Sequence, residues 1–131
     1  MTAEIFSFCE FASQRGGSLS IQGAFDRLDP EAVPVFYTAL RIRLPAQRPL
    51  ADMQMVTIDP NGNLVCPPVA LKVTGPVTNF VIKNRNVKMK LPGVYHTVLR
   101  DEGKMIASIP LFVGNTASLP KRNVSASSCL N

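Results

Sequence analysis

The sequence predicts an all-β fold: a two-sheet antiparallel β-sandwich of immunoglobulin-like or Greek-key topology, with about eight strands. Apolar and polar residues alternate with a period of two, as in strands that have one wet face. Eleven prolines and eight glycines divide the 131 residues into short segments, which is typical of sandwiches. A single helical turn is expected at residues 29–34, where Asp29 would cap the turn and Pro30 would occupy its first position.

The first three strands follow from this alternation. Residues 3–12 form the first strand, and residues 14–17 form a glycine-containing hairpin turn. The second strand spans residues 19–25, and its apolar side includes Gly23, where a bulge or a close backbone approach is the usual reason for a glycine. The third strand spans residues 36–44. Its two arginines, Arg41 and Arg43, alternate with apolar residues and are expected to share one face and point to water.

The remaining strands are expected at residues 53–58, 64–66, 69–73, 79–91, 94–100 and 104–113. The first two are predicted to pair across the turn Asp59–Asn63, and residues 84–86 interrupt the fourth as a bulge or loop. Periodicity is lost after Gly114. Residues 1–114 are therefore predicted to form one sandwich domain, and residues 115–131 a poorly ordered polar and basic tail.

Composition favours a soluble, cytoplasmic protein. No run approaches the roughly 20 apolar residues of a membrane-spanning helix, and the N-terminus lacks the basic region of a secretory signal. The three cysteines, Cys9, Cys66 and Cys129, are odd in number and widely spaced, which argues against a disulfide scaffold and for reduced thiols. Cys9 and Cys66 are expected in strands, within the core.

No pattern of residues indicates catalysis, a metal or a cofactor. His96 is the single histidine, and alternation places it mid-strand on the face opposite Tyr95, as a surface residue. The cysteine spacing does not suit zinc. The acidic residues that could in principle gather around calcium are too dispersed: Asp26, Asp29, Glu31 and Asp59. The sequence therefore predicts a protein that is not an enzyme; a site assembled around His96 or Asp26 is the least favoured hypothesis.

Charge is unevenly distributed along the chain. Residues 1–65 carry five Lys/Arg and seven Asp/Glu (net −2), whereas residues 66–131 carry nine and two (net +7). The candidate anion-binding residues are Lys83, Arg85, Lys88 and Lys90, of which the last two share a face by alternation. Such a cluster attracts nucleic acid, acidic protein surfaces or phospholipid headgroups. It can equally serve solubility and block edge pairing, and no aromatic residue is interleaved with it, which argues against single-strand binding.

Five short motifs follow one another along the chain: Cys9-Glu10-Phe11-Ala12, Gly23-Ala24-Phe25-Asp26-Arg27, Asp59-Pro60-Asn61-Gly62, Pro92-Gly93-Val94-Tyr95 and Ile109-Pro110-Leu111-Phe112-Val113. In these motifs the chain resembles, over residues 3–113, a bacterial family of small β-sandwich proteins known only as a domain of unknown function. Its closing strands resemble those of bacterial immunoglobulin-like domains. The resemblance implies the sandwich fold, a bacterial or phage origin and no particular activity. It implies structural roles for Gly23, Phe25, Asp26, Arg27, Gly93 and Tyr95.

The well-specified fold and the missing chemistry together predict a non-enzymatic protein-interaction or structural module. Its partner is expected to be another protein or a second copy of the chain, without a membrane. Strand addition at a sheet edge is one concrete mode of binding. The alternative is binding of a polyanion, either nucleic acid or an acidic surface, through residues 83–90.

Overall fold

The computed structural model describes residues 1–29, 35–85, 87 and 89–114. Over these residues nine strands form two packed sheets, which confirms the predicted all-β sandwich. The strands are β1 (Thr2–Arg15), β2 (Ser18–Phe25), β3 (Arg27–Leu28), β4 (Val35–Arg43), β5 (Leu50–Ile58), β6 (Val69–Thr74), β7 (Val77–Arg85), β8 (Gly93–Asp101) and β9 (Lys104–Val113). The predicted helical turn after Asp29 and the predicted tail, with Cys129, lie outside the described residues, as does Glu31.

The first sheet has the strand order β2-β1-β4-β7, and the second has the order β3-β9-β8-β5-β6. Neighbouring strands are antiparallel except β3 and β9, which run parallel over two residue pairs. Two of the connections between sheets join edge strands. The chain crosses from β2 to β3 at Asp26, and from β6 to β7 through Gly75 and Pro76. These two connections lie on opposite flanks of the sandwich.

The core between the sheets is built by alternate residues of the facing strands, because successive side chains of a strand point to opposite faces. The larger buried cluster contains Leu40, Ile42, Leu44, Ala51, Met53, Met55, Leu71, Val73 and Leu99. The smaller one contains Phe8, Leu28, Phe36, Met89, Tyr95, Leu111 and Val113. The buried hydroxyls of Thr57 and Thr97 hydrogen-bond to each other at 2.9 Å across β5 and β8.

The β1–β2 hairpin folds back over the outer face of the first sheet. The carbonyl oxygen of Gly17, at the hairpin tip, accepts hydrogen bonds from Arg41 Nη2 and Asn79 Nδ2, each at 3.2 Å. Arg41 and Arg43 lie on one face of β4 as predicted. Arg43 is exposed and pairs with Glu4, but Arg41 is half-buried and holds the hairpin instead of pointing to water.

A third buried cluster lies under this hairpin. Ala39 points away from the core, since its neighbours Thr38 and Leu40 point inward, yet it has no exposed surface. It packs with Cys9 and Ala12, which are also buried. Cys9 is therefore buried, as predicted. It lies in this cluster on the outer face of the first sheet and not between the two sheets. Burial raises the pKa of its thiol.

Gly23 allows a close approach by a side chain. The β1–β2 register continues past it without a shift, so there is no bulge. Its φ is +67°, and a Cβ built at this position would lie 2.7 Å from the carboxyl group of Glu10. The expected close approach is correct, but the group that approaches is the Glu10 side chain and not the backbone.

Residues 64–66 do not form the predicted strand. Leu64 makes one isolated bridge to Ile58, and the Val65 N–H donates to the Thr57 carbonyl at 2.9 Å. The turn before them is as predicted, with Asp59 Oδ1 accepting two backbone N–H bonds. The pairing stops because Pro67 and Pro68 cannot extend a ladder, and β6 takes the place beside β5. Cys66 is accordingly in a bend and half-buried, which corrects its assignment to a core strand.

Candidate functional site

The two flanks of the sandwich differ in how completely their edge strands are paired. On one flank β7 pairs with β4 over its whole length and β6 pairs with β5, while the outer edges of β6 and β7 have no further strand among the described residues. On the other flank β2 reaches only residues 8–15 of β1, and β3 reaches only Phe112 and Val113 of β9. In the part of the chain that the structure describes, residues 2–7 of β1 and 104–111 of β9 thus have no strand on that side, and the charged residues of these runs are Glu4 and Lys104. We call the remaining runs, residues 5–7 and 105–111, the uncharged flank, because none of their residues is charged.

The β9 edge presents main-chain hydrogen-bonding groups outward. The Phe112 N–H donates to the Asp26 carbonyl at 2.8 Å and so points away from β8. The direction of these groups alternates along an antiparallel strand, and the β8–β9 register has no shift between residues 107 and 113. The N–H and C=O of Ser108 therefore also point away from β8. Pro110 contributes an outward carbonyl but no N–H, which is why an edge strand tolerates it.

A shallow cleft of about 140 Å³ lies between the two runs of the uncharged flank. Its lining is mostly apolar and consists of Phe6, Ser7, Phe8, Phe25, Asp26, Ile109 and Pro110. Sites for small molecules usually enclose about 300–1,000 Å³. This cleft is too small for that role, but it can accept one side chain of an extended segment that lies along β9.

The opposite flank, which we call the basic flank, consists of β6 and β7. Exposed cations stand on both of its strands: Lys72 on β6, and Lys83 and Arg85 on β7. Charged residues, lysine above all, keep an edge from pairing with another chain. The β9 run of the uncharged flank contains no such residue, although Lys104 directly precedes it, and the first residue of this run, Met105, is 62% exposed.

The structure separates the predicted anion-binding residues. Lys83 and Arg85 are exposed on one face of β7, whereas Lys90 is exposed outside any strand. Lys88 lies outside the described residues. The predicted strand at 87–91 is wrong for its described residues, 87 and 89–91, because none of them is in a strand and Met89 packs into the core between β7 and β8 in chain order.

Strand register brings aromatic rings to these cations, which the linear sequence does not show. Tyr37 of β4 pairs with Lys83, whose Nζ lies 5.9 Å from the ring centroid. The ring of Phe11 packs edge-on against Tyr37 with centroids 5.3 Å apart, and Phe11 is 46% exposed. Val35 pairs with Arg85 beside them. We call these five residues the aromatic–basic surface.

The described residues bring together no catalytic group. His96 lies exposed on the outer face of the second sheet, between Ile58 and Pro110 and opposite in direction to Tyr95, as predicted. No three His, Cys, Asp or Glu side chains within the described ranges are arranged to hold a metal ion. Each buried side-chain nitrogen or oxygen in those ranges has a hydrogen-bond partner.

Tyr95 and Gly93 secure the start of β8. Tyr95 is 1% exposed, and its hydroxyl donates to the Leu91 carbonyl at 2.9 Å. This is the tyrosine corner of immunoglobulin-like sandwiches, and burial raises the pKa of the phenol. Gly93 has a φ of +136°, and a Cβ there would lie 2.9 Å from Pro60 Cγ. The Pro-Gly turn therefore packs directly on the turn that follows β5.

Phe25, Asp26 and Arg27 hold the crossing between the sheets. The Phe25 ring packs against both Phe8 and Phe36, with centroids 6.3 and 5.8 Å away. The Asp26 carbonyl accepts the Phe112 N–H, and the Arg27 guanidinium lies 5.1 Å from the centre of the Phe112 ring. Phe25 thus holds the end of β2 against β1 and β4, and Asp26 and Arg27 tie the crossing to the end of β9.

The two packed sheets and the tyrosine corner identify this fold as a small immunoglobulin-like sandwich domain. A family model described as a family of unknown function (DUF6941) matches residues 4–114, and the chain belongs to that family. The resemblance seen in the sequence motifs is thereby confirmed.

The chain was also compared with curated proteins and with solved structures. A search of the curated proteins found no match. Among solved structures, the chain is similar to an immunoglobulin-like protein from Pseudomonas aeruginosa at 9% identity, with 81% of this chain and 90% of that one covered and a TM-score of 0.42. A search of the described residues for a helix long and apolar enough to cross a membrane found none.

Proposed function

We propose that this protein is a non-enzymatic interaction module that binds an extended segment of another protein by strand addition to β9. The observation that carries the proposal is the outward N–H and C=O of Ser108, within a run of seven residues, 105–111, that contains no charge. Main-chain hydrogen bonds provide affinity in this mode of binding, and pockets for alternate side chains provide specificity.

The surroundings of Ser108 define the partner segment. An added strand would hydrogen-bond to Ser108 and to the carbonyl of Pro110, and one of its side chains would enter the cleft between Phe6 and Ile109. The apolar lining favours an apolar side chain there. The segment is short, because β3 already occupies β9 at Phe112, and it is uncharged, because buried charges without partners are costly.

Two lysine substitutions test the proposal. Ser108→Lys places a charge on the uncharged flank, and Ala70→Lys places the same charge on β6, at another small, exposed residue on the outer face of the second sheet. We expect partner proteins captured by the wild-type chain from its native lysate, and identified by mass spectrometry, to be lost with Ser108→Lys and retained with Ala70→Lys. Equal capture by both variants would contradict strand addition at β9.

Amide hydrogen exchange with the identified partner locates the contact. We expect the Ser108 amide to exchange more slowly in the complex, as the added strand bonds to it. Slowing confined to loops, with Ser108 unchanged, would show that binding occurs elsewhere. Concentration-dependent dimerisation that Ser108→Lys abolishes would identify the added strand as the β9 edge of a second copy.

A second candidate function, binding of a polyanion, is favoured by the two cations of β7. Lys83 and Arg85 share one exposed face, and neither takes part in the ion pairs found among the described residues. We expect affinity for heparin to fall steeply with salt and to be lost when both residues are changed to Glu. The control changes Lys72 and Lys104, two exposed lysines outside this cluster, to Glu. A loss of the same size in the control would show a non-specific charge effect.

A further inference from the structure

We infer that the polyanion of the second candidate function is a single-stranded nucleic acid, which binds across the aromatic–basic surface. The inference rests on that candidate function and adds the class of ligand. It uses an observation independent of the β7 charges, namely that an exposed ring, Phe11, is fixed beside them.

The Phe11 ring is held in position although the residue is 46% exposed. Its edge-on contact with Tyr37 fixes one side of the ring. The hairpin that carries Phe11 is anchored at its tip, where Gly17 accepts hydrogen bonds from Arg41 and Asn79. A ring that is ordered before binding loses little conformational entropy when a base stacks on it.

The two cations of β7 are spaced so that both can contact the phosphate backbone of a bound nucleic-acid strand. Lys83 and Arg85 are two residues apart on one face of β7, about 7 Å along the strand. Lys83 also lies over Tyr37, and so joins the charged part of the surface to its aromatic part. A groove of positive charge that follows the backbone, combined with rings on which bases stack, is the general design of single-strand binding surfaces.

The surface discriminates against duplexes by the same geometry. In a duplex the faces of the bases are stacked on each other, whereas an unpaired base presents its face to an aromatic side chain. Glu10, the carboxylate next to Phe11 in sequence, lies against Gly23 on β2. It is therefore turned toward the hairpin partner strand and not toward Lys83.

The test measures the fluorescence anisotropy of a labelled 20-nucleotide oligo(dT), with a duplex of equal length and heparin as competitors. We expect Phe11→Ala to weaken oligo(dT) binding about 5- to 150-fold, the range for losing one stacked base. Phe11→Tyr should keep binding within about threefold. The control Met105→Ala truncates an apolar residue of similar exposure on the uncharged flank and should leave oligo(dT) affinity unchanged.

The charge variants complete the test. Changing Lys83 and Arg85 to Glu should abolish binding, whereas changing Lys72 and Lys104 should not. Heparin and duplex binding as tight as oligo(dT) binding, and insensitive to Phe11→Ala, would overturn the single-strand inference and leave polyanion binding standing. Absence of binding to all three ligands at low salt would overturn both. Retained hairpin amide signals in the NMR spectrum of Phe11→Ala show that its loss of affinity does not reflect unfolding.

Discussion

The basic flank and the uncharged flank of this sandwich are each closed by one connection between edge strands, yet the results differ. On the basic flank, a tight connection joins β6 to β7, and the β6 residue Val73 has no exposed surface. On the uncharged flank, β2 and β3 cover only one half, and Ile109 in the other half stays partly exposed. The comparison shows how one small domain can complete its core on one side, where cations stand on the open edge strands, and leave an open edge without charge on the other.

The largest difference between the flanks is expected in the free energy of unfolding. Leu71 of β6 is 6% exposed, and Leu71→Ala should destabilise the fold by about 3 kcal/mol through lost burial and the cavity left behind. Ile109→Ala on β9 should cost about 1 kcal/mol, since part of this side chain is already in water. Urea denaturation of both variants measures the two values. Equal losses would show that the two flanks are packed alike.

A smaller loss of unfolding free energy is expected on β2, beside the uncharged flank. Gly23→Ala should cost about 2 kcal/mol, since an L-residue at positive φ is strained and the new methyl group meets Glu10. Gly16→Ala is the control: its φ is also positive, at +60°, but nothing lies within 4 Å of its Cβ position, so it should cost about 1 kcal/mol. If the two variants unfold at the same urea concentration, the Glu10 contact contributes nothing.

The β8–β9 turn, next to the uncharged flank, should make the stability of the fold sensitive to acid. Arg48 donates two hydrogen bonds to Asp101 at the β8–β9 turn, one of them at 2.8 Å, and this lowers the pKa of the Asp101 carboxyl from its ordinary value of 3.8. A lowered folded-state pKa stabilises the fold above the unfolded value and loses that effect as the pH falls through the folded value. Asp101→Asn should therefore lower Tm at pH 7 and flatten its decline below about pH 4.

The control for this variant is Asp52→Asn. Asp52 is exposed on β5 and belongs to none of the ion pairs among the described residues. Because Asp52→Asn removes none of these ion pairs, it should lower Tm at pH 7 less than Asp101→Asn does. An equal loss of Tm in both variants would show that the Arg48 pair does not stabilise the fold.

The smallest expected difference is in the hydrogen-exchange rates of individual backbone amides of β9. The Ser108 N–H points away from β8 and should exchange rapidly, whereas the Ile109 N–H points toward Thr97 of β8 and should be protected. The Phe112 amide should also be protected, because it bonds to Asp26. Residue-resolved exchange by NMR measures all three. A protected Ser108 in the free protein would mean that another part of the chain already covers this edge.

The local sequence pattern predicts most of the strands, but it does not predict which strands pair with each other. Alternation and turn residues predicted β1, β2, β4 and the β8–β9 hairpin close to their observed bounds. The same alternation at 87–91 was misleading, because an isolated alternating segment carries no information on whether a strand is available to pair with it. Met89 is apolar at the right period, yet it is buried in a connection between sheets.

The candidate surfaces could be predicted from the sequence even less well than the strands. The argument against single-strand binding considered only residues near Lys83 in the chain, whereas Tyr37 and Phe11 reach it through strand pairing and through the folded hairpin. The unpaired edge of β9 depends on where β3 ends, which is a property of strand order. Pairing partners far apart in the chain are set by the packing of the whole domain, so local periodicity cannot reveal them.

The parallel pairing of β3 with β9 also determines when this domain can be completed during synthesis. The strands of the first sheet have all left the ribosome once Arg85 has emerged, and they can pair with one another. The second sheet must wait for Phe112 and Val113, which pair with Arg27 and Leu28 near the beginning of the chain. Until then β5 and β6 can cover only part of the apolar inner face of the first sheet, and such unfinished surfaces are prone to aggregate. Among the described residues β9 is the last strand in chain order, and its pairing with β3 ends this period.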